Sequence, residues 1–103
     1  MPSFADPFQG NVERKMTKEE LVQAIRLDIA SELEAIFIYD AHVQATEDVI
    51  ATKVLGDIRD EEKAHVGELI TLLMNLDPKE FDQFALGESE VNGMLSELNI
   101  SIN

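Results

Sequence analysis

The chain contains no cysteine among its 103 residues. That excludes a disulfide framework, a thiolate zinc site and the cysteine ligands of a rubredoxin-type iron centre. Basic residues are scarce as well: 8 Lys and Arg stand against 21 Asp and Glu, giving a formal charge of -13 and a pI near 4.3. A field of that sign repels phosphate backbones and anionic lipid headgroups and concentrates cations, which argues against nucleic acid and for metal ions or basic partners. Solubility alone accounts for such a charge equally well, so composition does not choose between the two. Nowhere do about 18 apolar residues run together, so no membrane span is expected. The stretch Met1 to Gly10 is polar, includes Pro2 and Pro7, and lacks the basic-then-apolar order of a secretory leader, so a cytoplasmic protein is expected.

Helix breakers are missing from the middle of the chain. Neither Pro nor Gly occurs from Thr17 to about Asp48, and from Val49 to Leu76 only Gly56 and Gly67 interrupt. Thr17 followed by Glu20 has the spacing of a capping box, and Asp77-Pro78 closes the second stretch. The pattern predicts helices over about 17–47 and 49–76, each roughly 45 Å long at about 1.5 Å per residue, paired as a long antiparallel hairpin. Residues 1–16, with Pro2, Pro7 and Gly10, read as an irregular arm. After the hairpin a short helix is expected over about 78–86, with Asp77 as N-cap, Pro78 at its first position and Glu80 at its third, stopped by Gly87. The segment 88–103 carries enough apolar residues to dock, Val91, Met94, Leu95 and Leu98 among them. The length fits one all-α domain over 17–103, and so short a chain buries a small share of its surface, which favours an oligomer.

On the first helix Val22, Ile25, Ile29, Glu32, Ile36, Tyr39, Val43 and Thr46 follow one another at steps of three and four, the spacing of a packed bundle seam. On the second, Leu55, Ile58, Glu62, His65, Leu69, Leu72 and Leu76 do the same. Both seams are apolar except at their centres. A carboxylate there has to be paired, protonated or bound to a cation. With a turn near Glu47, Glu32 and Glu62 fall at the same height, and His65 is nearly one helical turn beyond Glu62 on the same face. Two carboxylates and an imidazole converge.

Glu-x-x-His by itself is a weak motif, common on exposed helices. Its place in the seam opposite Glu32 is what gives it weight. Ferritin-like di-iron bundles use a Glu from each of two helices and a Glu-x-x-His from each of the other two. This chain holds half of that set, so two copies about a two-fold axis are needed to supply four carboxylates and two imidazoles. Two Fe²⁺ would bring four positive charges to the four negative ones. Tyr39, seven residues after Glu32, reads either as a core aromatic or as a neighbour of the ligands. His42 falls off the seam. Asp60 and Glu61 read as a solvated charged face, as does Glu34. Leu33, Phe37 and Ala41 form a second apolar stripe for a further subunit contact.

The run Glu32-Leu33-Glu34-Ala35 through Tyr39-Asp40, then Arg59-Asp60-Glu61-Glu62-Lys63-Ala64-His65, resembles the encapsulated ferritins, short ferritin-like proteins that work inside encapsulin shells. Leu72-Leu73-Met74-Asn75-Leu76-Asp77-Pro78 is similar to members associated with or fused to the shell protein, and the resemblance spans about residues 17–95. It implies a ferritin-like four-helix bundle formed only on dimerisation, within an annular decamer of five dimers. It also implies a ferroxidase that oxidises Fe²⁺ with dioxygen, two irons per dimer held between subunits, for storage inside the encapsulin nanocompartment. By position, Glu32, Glu62 and His65 would be the metal ligands and Tyr39 the adjacent aromatic. Glu34 would match one carboxylate of an outer site through which metal enters. The companion of Glu34 is Ser31 here, and a Trp found in some members is Ile38. The family's apolar shell-targeting motif is not evident in Leu98 to Asn103. Two rival readings are a non-catalytic helical adaptor whose seam carboxylates fix register or hold Zn²⁺ or Ca²⁺, and a rubrerythrin-like peroxide-reducing di-iron protein, which the lack of cysteine weakens.

Overall fold

The computed structural model describes residues 14–99. Over that range the chain is three helices, α1 (Lys18–Ala45), α2 (Val49–Leu76) and α3 (Pro78–Glu97). The expected irregular arm lies outside the described residues up to position 13, and Arg14 to Met16 precede α1 without helical structure.

Each helix starts where its sequence says it should. Thr17 Oγ1 accepts from the Glu20 N–H at 3.1 Å, and the Glu20 carboxylate accepts from the Thr17 N–H at 3.0 Å, so two otherwise orphaned donors are satisfied reciprocally. Arg14 grips the same Glu20 carboxylate with both terminal nitrogens at 2.6 and 2.7 Å. α1 gives way to α2 at Thr46 to Asp48, where Asp48 caps α2 by accepting from the Ala51 N–H at 2.7 Å. Asp77 is both the last station of α2, donating its N–H to Leu73 O at 2.9 Å, and the N-cap of α3, accepting from the Lys79 N–H at 3.1 Å. Pro78 follows at the first helical position, where its missing N–H costs nothing.

α3 is longer than its sequence suggests. The expected short helix ending at about 86 is corrected: α3 runs through Gly87 and Gly93 to Glu97, so part of the presumed tail is helical. Glycine in a helix interior costs only about 1 kcal/mol against alanine, and it stops a helix chiefly by turning left-handed. No described glycine does so; Asn99, at φ 56°, takes that conformation instead and ends the helix. The remaining tail from Ile100 lies outside the described residues.

α1 and α2 pack along their length, while α3 leaves the hairpin at an angle and touches chiefly α2. The buried core is small: Val22, Ile25 and Leu73, supported by Leu21, Ile29, Leu69 and Leu76. It sits at the end where α1 begins and α2 finishes. The predicted α1 seam is buried or half-buried throughout, but on α2 the residue that turns inward is Leu73, 2% exposed, whereas Leu72 is 41% exposed. Beyond Glu62 the inward face steps by four, three, four and three through Val66, Leu69, Leu73 and Leu76, where the expected seam stepped by three, four, three and four through His65 and Leu72. His65 and Leu72 therefore lie on the edge of the hairpin face, open to a neighbour. The Cα radius of gyration is 17.8 Å, where a compact domain of about 100 residues has about 13 Å. Leu33 at 53% and Phe37 at 74% exposure belong to the second stripe on α1, and no described residue covers them.

Candidate metal centre

Midway along the hairpin, α1 presents Glu32 and α2 presents Glu62 and His65. Their nearest ligand atoms all lie within 4.8 Å of one another. Among the described residues no other group of three or more such side chains is drawn together in this way. His65 Nδ1 stands 3.6 Å from Glu32 Oε2 and 3.5 Å from Glu62 Oε2. Those separations are too long for hydrogen bonds. Two donors each about 2.1 Å from one metal lie about 3–3.5 Å apart at bond angles of about 90–110°, so both pairs stand close to the spacing of atoms that share an ion.

Burial sharpens the point. The Glu62 side chain is 19% exposed and that of Glu32 27%, while His65 is 48% exposed at the hairpin edge. Glu32 Oε2 is itself buried and has no hydrogen-bond partner. A buried carboxylate oxygen without a partner is strongly unfavourable in a metal-free seam and becomes satisfied when a cation sits between the three side chains. Oxygen and imidazole donors of this kind suit first-row divalent ions. Three ligands on one face, one of them half-exposed, leave coordination positions open on the side away from the hairpin.

The other expected site residues do not join the cluster. Tyr39 is half-buried on the Glu32 face, two turns along, and Glu34 and Ser31 are exposed beside it. His42 is exposed near the end of α1. Arg59 and Asp40 carry a role that the sequence reading did not assign to either. Arg59 on α2 donates to Asp40 on α1 at 2.7 Å and to Asp60 at 3.2 Å, clamping the two helices within a turn of Glu62. These bonds hold Arg59 above its usual value and, chiefly through Arg59, Asp60 below the usual carboxylate range. The signal was available in the spacing: Arg59 precedes Glu62 by three residues, on the same side of α2.

The fold and the cluster define a ferritin-like helical hairpin with a carboxylate and histidine cluster that could hold a metal ion. No family model matches the chain. It is 44% identical over 86 residues to a ferritin-like-encapsulin shell fusion protein of Pyrococcus furiosus, covering 84% of this chain and 25% of that protein. It is 43% identical over 75 residues to an encapsulin nanocompartment cargo protein of Myxococcus xanthus, covering 73% of this chain and 58% of that one. The crystal structure of the encapsulated ferritin domain from Pyrococcus furiosus superimposes with a TM-score of 0.80 at 41% identity, over 88% of this chain and 93% of that domain. The chain belongs to the encapsulated ferritin family. It spans a quarter of the fusion protein and 58% of the cargo protein.

Proposed function

We propose that the chain is a ferroxidase that oxidises Fe²⁺ to Fe³⁺ with dioxygen at a di-iron site shared by two subunits. The observation that carries this reading is the Glu32, Glu62 and His65 cluster with its unpartnered Glu32 oxygen. One chain offers two carboxylates and one imidazole; two hairpins packed face to face offer four and two, the ligand complement of a ferritin-like di-iron centre. His65 lies at the hairpin edge, where a second copy about a two-fold axis reaches the same ions.

Iron here is the substrate, and each Fe²⁺ surrenders one electron, so a pair held together supplies two to one dioxygen. The chain's residues prepare that step. Glu32 and Glu62 neutralise the incoming charge and, as hard anionic oxygens, favour the ferric product. The Arg59 to Asp40 clamp fixes the spacing between the helices that bear them. The net charge of -13 draws Fe²⁺ toward the protein. Tyr39 is assigned as a neighbour of the ligands and Glu34 as part of an outer site through which metal enters.

The names of the two relatives, a shell fusion and a nanocompartment cargo, support a place inside an encapsulin compartment with the shell protein as partner; a ring of dimers, a decamer, is the assembly this reading takes. Among the described residues no helix is long and apolar enough to cross a membrane. The test is stopped-flow measurement of Fe³⁺ formation under air. Glu32→Ala and His65→Ala are expected to abolish the rapid phase, and native mass spectrometry to show two irons per dimer in the parent chain. Parental rates in both variants would remove the reading and leave a helical adaptor.

A further inference from the structure

Of the three helices, α3 alone buries no side chain. Its first turn is tied to α1 through Arg26 and Glu80, but no ion pair among the described residues engages α3 beyond Glu80. In the outer half Val91, Met94 and Leu98 stand 53%, 57% and 68% exposed. Gly87 and Gly93 fall in the same stretch, and glycine weakens a helix interior by leaving the unfolded backbone more freedom to regain. The helix then ends at Asn99 in its left-handed turn. A helical end with so few contacts opens at little cost in free energy.

Asn92 lies in this half and is the one asparagine of the chain that a glycine follows. The pairing matters chemically, because a glycine nitrogen has no side chain on its own residue to obstruct approach to the preceding carboxamide. Asn92 is half-buried, and no side-chain hydrogen bond among the described residues holds that carboxamide. Within the closed helix the Gly93 N–H is turned back toward the Ser89 carbonyl, away from the Asn92 side chain. Reaction between the two neighbours therefore waits on opening.

We propose that Asn92-Gly93 is a self-modifying site, gated by an opening of α3 that takes in the outer half from Gly87 onward as a unit. In the open form the Gly93 nitrogen, having given up its proton, attacks the Asn92 side-chain carbonyl carbon. The new carbon to nitrogen bond closes a five-membered succinimide, and the side-chain nitrogen leaves as ammonia. Water then opens the ring at either carbonyl, giving aspartate or isoaspartate at position 92; nothing is oxidised or reduced. Either product keeps the helix from closing as before. Aspartate places a second carboxylate four residues after Glu88, a like-charge pair on one face. Isoaspartate routes the backbone through an extra carbon, and the hydrogen-bond ladder cannot run through it. A reversible opening thus becomes a permanent shortening of α3, a one-way timer that needs only water and is independent of the iron chemistry.

The test is ageing of the full chain at low concentration in warm, mildly alkaline buffer, read by peptide mapping with fragmentation that separates aspartate from isoaspartate. Position 92 is expected to convert ahead of Asn75, whose successor Leu76 is half-buried. The rate should rise with hydroxide and be about tenfold below that of a free peptide of residues 88–99, the factor set by the opening. Gly87→Ala leaves the reacting pair untouched, and its added methyl group meets open space. It is expected to slow the reaction about fivefold, which is the helix preference of alanine over glycine, about 1 kcal/mol, expressed as a rate. Amide exchange of the aged chain should be faster across residues 88–97 and unchanged in α1 and α2. Survival of Asn92 beyond about a hundred half-lives of the peptide would place it in a stable helix and overturn the proposal. A parental rate in Gly87→Ala overturns the gating, and parental exchange in the aged chain overturns the timer.

Discussion

The Nδ1 of His65 on α2 faces the Oε2 of Glu32 on α1 at 3.6 Å, and that oxygen is buried without a hydrogen-bond partner. The seam is therefore arranged for a bound cation and is under stress when empty. Under chelator, Glu32→Gln is expected to stabilise the chain by about 1 kcal/mol, equivalent to a rise of about 4–8 °C in Tm for a domain this size. The same variant is expected to lose the rise in Tm that Fe²⁺ gives the parent. Thermal unfolding with and without metal checks both signs, and a drop in Tm under chelator would mean that Glu32 is satisfied some other way.

The hairpin, its turn near Glu47 and the caps at Thr17 and Asp77 were legible because each is signalled locally: breakers are absent, and Thr and Asp stand at those two cap positions. The trio Glu32, Glu62 and His65 was legible for a related reason, since charged residues in an apolar periodic face announce themselves. The length of α3 was not, because glycine marks a stop only when the backbone turns left-handed, and the sequence does not say which glycine turns. Nor was the bond between Arg26 and Glu80, 54 residues apart, because it depends on the angle at which α3 leaves the hairpin. The exchange of Leu72 for Leu73 in the core came from the order of the steps: threes and fours fit the apolar pattern of α2 in either order, and only its packing against α1 decides which.

That exchange can be measured. Leu73→Ala is expected to cost about 2–4 kcal/mol, because its side chain is 2% exposed and the small core has little to collapse into the space. Leu72→Ala, 41% exposed in the isolated chain, is expected to cost about 1 kcal/mol or less as a monomer. Urea unfolding of both variants at low protein concentration, under chelator, separates them. Equal costs would place Leu72 inside an assembled interface even at that dilution.

The anchor of α3 is Arg26, whose Nε and Nη2 donate to the two oxygens of Glu80 at 3.1 and 2.9 Å. Both side chains are part-exposed, so even this bidentate pair is expected to contribute only about 1 kcal/mol. Its effect on motion is larger, since α3 buries no side chain of its own. Arg26→Met is expected to speed amide hydrogen exchange along the first turns of α3 while leaving the middle of α1 and α2 protected. Exchange that rises equally in all three helices would show that the pair holds the hairpin rather than the arm.

The start of α1 should respond to acid in a way that follows from its bonds. Glu20 is held down from its ordinary 4.5 to about 2, first by the Arg14 hydrogen bond and then by the Thr17 N–H. A carboxylate depressed in the folded state contributes stability that is present above its unfolded value and is lost as pH falls through the folded one. The first turn of α1 is therefore expected to fray between about pH 4.5 and 2 and to be insensitive above that window. Glu20→Gln should flatten this dependence, and Arg14→Ala should move the Glu20 titration upward, because the largest cause of the shift is gone. Both are readable as the carboxyl carbon shift of Glu20 and the amide shift of Thr17 through an NMR acid titration. An unmoved Glu20 midpoint in Arg14→Ala would assign the depression to the capping box alone.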